Sequence, residues 1–316
     1  MLEVLRAGLL TTVQDLGRRA REVGVPQGGA LDPVSLRTAN LLVGNPQGAP
    51  ALEVTLLGPA LRFHAQAVVA VAGAELDLTL DGVPARTWAP FSARARQVLT
   101  LGEVRGGARA YLALRGGIQG DEVFGSLATD LRGGFGGHRG RALRRGDVLG
   151  WNEAPPVTPP RLFVNHTFVN HAGRPLPRRV VRLRALRSAA GGWEKMVNTA
   201  WTVGTASDRM GLRLAGPTLP GQRADRASEP TVPGMVQLPP GGAPIVLLAD
   251  SGTHGGYARP LTVIRADLAA LGQLRPRQRI VFQLVTFQQA RSALAAQEAA
   301  LARLARAVEY AYARSP

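Results

Sequence analysis

The sequence predicts a mainly β protein of two domains, of the sandwich or barrel class, with few helices. Three observations lead there. At 316 residues the chain exceeds one ordinary domain. Short apolar runs separated by turn residues recur through both halves. Between the halves, residues 151–177 carry six prolines and little periodicity, the best boundary in the chain. Hydrophobic residues make up 45% of the chain, enough for a sizeable core.

In the first half the expected strands are LEVLRAG, ALEVTLLGPALRF, AVVAVAG, ELDLTLDGVPA, QVLTLGEV, ARAYLALRGG and GDVLGW. The clearest is ELDLTLDG, where Leu76, Leu78 and Leu80 alternate with Asp77 and Thr79 before an Asp81-Gly82 turn. One helix interrupts the set. SLRTANLLVGN puts Leu36, Ala39, Leu42 and Val43 on one face, behind Asp32 as N-cap and Pro33 at the first helical position. Gly44-Asn45 ends it. In the second half, RVVRLRAL, AWTVGT, GLRLAG, GMVQLP, PIVLLAD, LTVIRA and RIVFQLV repeat the short-strand style. From Phe287 the chain is alanine-rich without glycine or proline, and predicts a helix whose apolar stripe is continuous only over its later half. It reads as a helix packed on its own domain or as a docking helix. The division expected is 1–155, a linker at 156–177, 178–286, and a terminal helix over 287–316.

The absence of cysteine excludes disulfides, thiolate metal sites and a cysteine nucleophile. Lys195 is the single lysine, and no phosphate-binding loop of the GxxxxGK[ST] kind is present. Lys195-Met196 follows Glu194 rather than methionine, so no covalent biotin is expected on this chain. No run of about 18 apolar residues occurs, so neither a membrane span nor membrane association is expected, and a cytoplasmic location is the default. The net charge of +16 comes from arginines scattered through every segment, with only 5% aromatic residues. That pattern fits an anionic substrate or an acidic partner better than nucleic acid.

Four glycine-rich turns carry the candidate chemistry. GVPQGGALD offers Gly28 and Gly29 for close backbone approach, with Asp32 as a cap or an acid/base. RGGI, with Arg115, Gly116 and Gly117, is followed by GSLATD with Ser126. SDRMGLRLAG gathers Asp208, Arg209 and Arg213. LADSGTHGGY places Asp250, His254, Gly255, Gly256 and Tyr257 after an apolar strand. Asp32, Asp250 and His254 are the candidate proton-moving or orienting groups, and the arginines the candidate anion binders. A double glycine between strands is otherwise simply a tight turn, and Asp208 with Arg209 can equally be a loop-locking ion pair. His166 and His171 have no carboxylate nearby, so no metal site is expected. Ser126 and Ser251 lack the GxSxG elbow of a serine hydrolase.

The ordered segments TTVQDLGR, GVPQGGALD, ANLLVGN, LEVTLLGPALRF, YLALRGGI, GSLATD and GRALRRGD resemble the allophanate hydrolase subunit 2 family. Its members are also called biotin-dependent carboxyltransferase-like proteins and include KipA and the C subunit of prokaryotic 5-oxoprolinase. SDRMGLRL, GMVQLPPGGAPIVLLAD, GGY, VIRADL and LGQLRP continue the family's order, so the resemblance covers residues 1–286. It implies two cyclophilin-like β-barrel domains and, as partner, a KipI-like protein serving as the B subunit. In the oxoprolinase setting it also implies ATP with Mg in the assembled complex and a LamB/YcsF-like protein serving as the A subunit. The substrate implied is a small amide or lactam, 5-oxoproline being opened to glutamate. The alternatives are carboxyl transfer to urea or a related amide, and a non-catalytic role regulating a KipI-like kinase inhibitor. Homodimer and heterotetramer are both open as assembly states. The chain departs from the family pattern in two places. RLRALRSAAGGWEKM lacks the usual glycine-proline opening of the second domain, and DSGTHGGYA replaces the commoner glutamine-threonine-threonine run before GGY.

Overall fold

Alternating apolar residues build the strands of a first unit, Met1–Arg18, Gly28–Pro175 and Glu298–Pro316. The computed structural model describes residues 1–155, 157–164, 180–188, 192–219 and 227–314. Most of the expected linker, with His166 and His171, lies outside them. The unit's strands are β1 (Leu2–Arg6), β2 (Leu10–Gln14), β3 (Ala51–Thr55), β4 (Ala60–Phe63), β5 (Ala67–Leu80), β6 (Val83–Pro84), β7 (Pro90–Ala93), β8 (Val98–Leu114) and β9 (Val148–Leu149). They form one curled antiparallel sheet along the path β2-β3-β8-β4-β1-β9, with β5 pairing β6, β7 and β8. Strand β8 spans the sheet. Its end pairs β3, its start pairs β4, and β5 runs beside it from Val69↔Leu114 to Leu80↔Leu99.

Two pairs of strands expected from the sequence are each continuous here. AVVAVAG and ELDLTL join in β5, and QVLTLGEV and ARAYLAL join in β8. The glycines between them make bulges instead of turns. Gly73 has φ 110°, Gly107 has φ 80°, and the register shifts between Gly73 and Glu75. The apolar faces close over Val4, Leu52, Phe63, Val71, Leu99 and Leu112, all fully buried.

Helix α1 (Pro33–Leu42) forms where the sequence places it. Asp32 caps it, accepting from the Ser35 N–H at 2.9 Å and the Ser35 hydroxyl at 2.6 Å, and is itself fully buried. The chain enters the helix over a buried polar triad. The Tyr111 hydroxyl donates to Glu53 Oε2 at 2.7 Å and accepts from Asp32 N–H at 2.8 Å, and Leu31 N–H donates to the same Glu53 oxygen at 2.9 Å. Burial, then the Glu53 and Asp32 charges, push the Tyr111 phenol well above its ordinary value, so it stays a donor.

The second unit comprises Arg19–Gln27 and Leu176–Gln297. Its strands are β10 (Val181–Arg187), β11 (Ala200–Val203), β12 (Gly211–Ala215), β13 (Glu229–Pro230), β14 (Met235–Leu238), β15 (Ile245–Leu247), β16 (His254–Gly255), β17 (Ala258–Val263) and β18 (Arg279–Leu284). Seven of them close a barrel in the order β10-β17-β14-β15-β12-β11-β18, sealed by the parallel pair β10–β18. Closure removes the exposed edges that short strands would otherwise leave. Trp201, Phe282, Leu183, Val236 and Leu261 are fully buried in this unit, and Trp201 Nε1 donates to the Met196 carbonyl at 3.1 Å. A short helix α2 (Leu268–Gly272) precedes β18. The two-stranded pair β13–β16 stands apart from the barrel sheet.

The terminal helix α3 (Phe287–Ala313) has 27 residues, and its buried side chains are Ala300, Leu301, Leu304 and Val308, the later half of the stripe. From Glu298 onward it packs within the first unit. Arg37 grips Glu298 with both terminal nitrogens at 2.7 and 2.6 Å, and the Tyr312 hydroxyl donates to the Leu42 carbonyl at 3.0 Å. No helix among the described residues is long and apolar enough to cross a membrane.

Leu301→Ala opens a cavity under α3 and is expected to lower the unfolding free energy by about 2–5 kcal/mol, read from urea denaturation. Asp147 supplies a pH test. The paired hydrogen bonds from Arg141 at 2.7 and 2.8 Å, with Arg144 N–H at 2.7 Å and His138 beside it, hold its carboxyl well below the usual range. A depressed folded-state pKa contributes stability above the unfolded value of about 4 and loses it as pH falls further. At neutral pH Asp147→Asn should therefore be less stable than wild type, and the difference should shrink as urea midpoints are taken below about pH 4.

Candidate functional site

In the second unit, two loops expected to carry chemistry meet. The SDRMG loop turns because Asp208 Oδ1 accepts from the Met210 N–H at 2.8 Å and the Gly211 N–H at 3.1 Å, launching β12. That turn directs Arg209 inward, where it is 6% exposed. Strand β15 ends at Leu247, and the following residues bend so that Asp250 faces the guanidinium. Arg209 Nε lies 2.8 Å from Asp250 Oδ2 and Nη2 lies 3.0 Å from Oδ1, a two-pronged pair. The backbones join as well, with Asp250 N–H donating to the Arg209 carbonyl at 3.1 Å and Leu248 N–H to that of Met210 at 2.9 Å.

Beyond Asp250 the loop runs through Ser251, Gly252 and Thr253 into β16, which pairs with β13 as Pro230↔His254 and Glu229↔Gly255. Thr231 fastens this flap, donating its hydroxyl to the Gly252 carbonyl at 2.6 Å and its N–H to the Thr253 carbonyl at 2.9 Å. Arg21, from the short 3-10 turn Arg21–Val23, donates through Nη2 to the carbonyls of Thr231 and, at 3.2 Å, Gly252. His254 is exposed, with Nδ1 3.0 Å from the Thr253 hydroxyl, and Nε2 has no partner among the described residues. Tyr257 is 41% exposed, while Gly255 packs against Gln237, leaving no room for a side chain unless Gln237 moves.

Asp208, Arg209, Asp250, His254, Gly255, Gly256 and Tyr257 thus share one pair of loops. Arg213 is exposed on β12, and only its backbone joins, donating to the Ser207 hydroxyl at 3.0 Å. The other candidates lie in the first unit. Arg115 donates to the Val43 carbonyl at 3.0 Å and stacks on Tyr312, and Gly116 N–H donates to Asn45 Oδ1 at 2.8 Å, so with Gly117 they finish the end of α1. Asp32 starts the same helix.

Gly28, Gly29 and Ser126 belong to a second polar knot. The Ser126 hydroxyl donates to Asp15 Oδ1 at 2.7 Å, and Leu127 N–H donates to Asp15 Oδ2 at 2.7 Å. Arg18 is 2% exposed, donates to the Ala128 carbonyl, and lies 4.8 Å from the Phe135 ring centre and 3.9 Å from Asp130. Both glycines have positive φ, and a β-carbon on Gly28 would come within 3.1 Å of Arg18 Nη1. At Gly28 that freedom serves close packing on a buried guanidinium, and at Gly29 a close approach to the Leu16–Gly17 backbone.

Sequence reasoning passed over Asp15, Arg18, Arg21 and Thr231, and weighed Ser251 only as a hydrolase nucleophile. Asp15 and Arg18 stand inside the quoted TTVQDLGR segment, and their burial is the missing signal. Arg21 lies 210 residues from the threonine it holds, a separation that no local pattern reveals. A cavity of about 980 Å³ in the first unit is lined by Val83, Phe91 and Phe163 with Arg86 and Arg94, and by none of the candidate residues. No group of three or more His, Asp and Glu among the described residues is placed to hold a metal ion.

Residues 23–284 match the family described as carboxyltransferase domain, subdomain A and B. The chain is 36% identical over 299 residues to the C subunit of 5-oxoprolinase from Haemophilus influenzae, covering 92% of this chain and 93% of that protein. It is 38% identical over 293 residues to the Escherichia coli protein of the same name, with the same 92% and 93% coverage. Among solved structures, the K. lactis urea amidolyase superposes with a TM-score of 0.85 at 30% identity, over 96% of this chain but only 20% of that one.

Removing one partner of the Arg209–Asp250 pair strips the other buried charge of its two-pronged counter-ion. Arg209→Met and Asp250→Ala should each cost about 3–5 kcal/mol of unfolding free energy by denaturant titration. A loss below about 1 kcal/mol would place the pair among exposed ion pairs of little consequence.

Proposed function

We propose a function from one premise: this chain belongs to the carboxyltransferase-domain family, subdomains A and B. Its role in this reading is that of the C subunit in an ATP-dependent 5-oxoprolinase-type complex, cytoplasmic and active only when assembled. The partners are a KipI-like protein and a LamB/YcsF-like protein, the B and A subunits of that complex. The substrate is a small lactam, 5-oxoproline, opened to glutamate. The observation that carries this reading is similarity over nearly the full length of two proteins that are each named as the C subunit of 5-oxoprolinase.

The geometry of the second unit supports a binding and orienting role. Opening an amide places negative charge on the carbonyl oxygen, and fixed donors stabilise that charge without reorganising. The Asp250–Tyr257 loop is held by Arg209, Thr231 and Arg21, so its backbone N–H groups and the His254 ring are presented from a rigid frame. His254 is the candidate proton-moving group of the loop, being exposed with one ring nitrogen held by Thr253. Both carboxylate oxygens of Asp250 face Arg209, which suits orientation of the loop.

ATP with Mg is assigned to the assembled complex. The described residues of this chain lack a carboxylate cluster for the metal, and the single lysine, Lys195, is exposed, so they do not fit the nucleotide. Covalent biotin is likewise not assigned to this chain.

A second reading, carboxyl transfer to urea or a related amide, is favoured by the superposition on urea amidolyase. Reconstitution separates the two. With the KipI-like and LamB/YcsF-like partners and Mg-ATP, the complex is expected to hydrolyse ATP in proportion to 5-oxoproline converted to glutamate. Omission of this chain should abolish the coupling. His254→Ala should lower the coupled rate by about a hundredfold while the complex still assembles. Turnover of urea with carboxybiotin but none of 5-oxoproline would replace the first reading by the second. Assembly without either activity would leave a regulatory partner.

A further inference from the structure

Two buried donors in the second unit are left over once its hydrogen bonds are assigned. Arg21 directs all its bonds through Nη2, to the Thr231 carbonyl, the Thr231 hydroxyl oxygen at 3.4 Å and the Gly252 carbonyl at 3.2 Å. Its Nη1 is buried with no hydrogen-bond partner, and Arg21 has no carboxylate partner among the described residues. The second donor is the Ser251 hydroxyl, on a residue 1% exposed, also buried with no partner. Ser251 is the chain neighbour of Gly252, whose carbonyl receives Arg21, and of Asp250, whose carboxylate receives Arg209.

These positions are fixed from several sides. Ser251 N–H donates to the Leu248 carbonyl at 3.1 Å, and the Thr231 hydroxyl donates to the Gly252 carbonyl at 2.6 Å. Burial costs the guanidinium part of its hydration, which lowers its pKa, and the carbonyl dipoles on Nη2 compensate only one side. A half-buried cation and a buried hydroxyl, each with an unused hydrogen-bond donor, are complementary to an oxyanion. Asp250 cannot serve as that anion, because both of its oxygens face Arg209. The single positive charge matches a monoanion, while the adjacent carbonyl oxygens of Thr231 and Gly252 disfavour a dianion such as phosphate.

We propose that Arg21 Nη1 and Ser251 Oγ form an oxyanion subsite that takes the carboxylate of the small substrate. The assignment to a substrate carboxylate rests on the lactam reading above, since 5-oxoproline carries one carboxylate beside its amide. The subsite selects among lactams by that group, and its occupant sits beside the loop bearing His254.

Calorimetric titration of the full chain tests this with three probes at constant ionic strength: 5-oxoproline, 2-pyrrolidinone (the same lactam without the carboxylate) and acetate. Wild type is expected to bind 5-oxoproline and acetate, and 2-pyrrolidinone at least about tenfold more weakly than 5-oxoproline. Arg21→Gln should weaken both carboxylates by about tenfold or more and leave 2-pyrrolidinone unchanged, with Arg21→Lys restoring part of the loss. Ser251→Ala, which keeps every bond of the flap, should weaken carboxylate binding by about threefold with an unchanged melting temperature. The proposal is overturned if wild type binds no carboxylate or prefers none over 2-pyrrolidinone, or if Arg21→Gln and Ser251→Ala both bind carboxylates as wild type does. Carboxylate binding that depends on Arg21, in a complex that does not turn over 5-oxoproline, would sink the functional reading and keep the subsite. Turnover with an unchanged KM for 5-oxoproline in Arg21→Gln would do the reverse.

Discussion

The Arg209–Asp250 ion pair is the constraint on which the candidate site depends. A glycine-rich loop of ten residues between two barrel strands would ordinarily sample many conformations, at about 1–2 kcal/mol of backbone entropy per ordered residue. Here a buried guanidinium takes both carboxylate oxygens at 2.8 and 3.0 Å, and two backbone hydrogen bonds run alongside. Desolvation makes such a pair costly to bury and costlier to break, so its worth lies in specifying one arrangement more than in net stability. Everything beyond Asp250 inherits that arrangement: the turn at Ser251, the carbonyl of Gly252 that Arg21 and Thr231 reach, and the short strand that carries His254.

A parallel logic runs through the first unit, with a different outcome. Arg18 is buried as deeply as Arg209 but is met by a backbone carbonyl, an aromatic face and Asp130, and Gly28 closes on it. Those contacts account for Gly28, while Gly29 packs on the Leu16–Gly17 backbone and Ser126 is held by Asp15. The ends of α1 are finished in the same way, by Asp32 at one end and by Arg115 with Gly116 at the other.

Periodicity made most strands legible, because a half-buried strand must alternate and the turn residues mark its ends. Asp32-Pro33 and Gly44-Asn45 bracketed α1 for equally local reasons. The terminal helix was legible as a helix, and its later leucines as the buried stripe. Its packing partner was not, since Arg37 and Glu298 are 261 residues apart. The glycines at 73 and 107 look like turns in a linear reading, yet the sheet absorbs them as bulges in continuous strands. In the site, Asp208, Arg209 and Asp250 could be singled out as charged residues in turns, but the ion pair expected between Asp208 and Arg209 forms instead between Arg209 and Asp250, while Asp208 accepts from the backbone of its own turn. Arg21 and Thr231 carried no local signal, and Ser251 was legible only as a serine without a nucleophile elbow. Their meaning arises only when distant loops are brought together and the hydrogen bonds left over can be seen.

Hydrogen exchange at individual amides tests most directly whether the ion pair organises the site loop. In wild type, the Asp250, Ser251 and Thr231 amides should be protected by their bonds to Arg209, Leu248 and Thr253. In Arg209→Met, their protection should fall by about a hundredfold or more, while the amides of β14, β17 and β18 keep theirs. Unchanged protection in the loop, or a loss spread evenly over the barrel, would contradict the account.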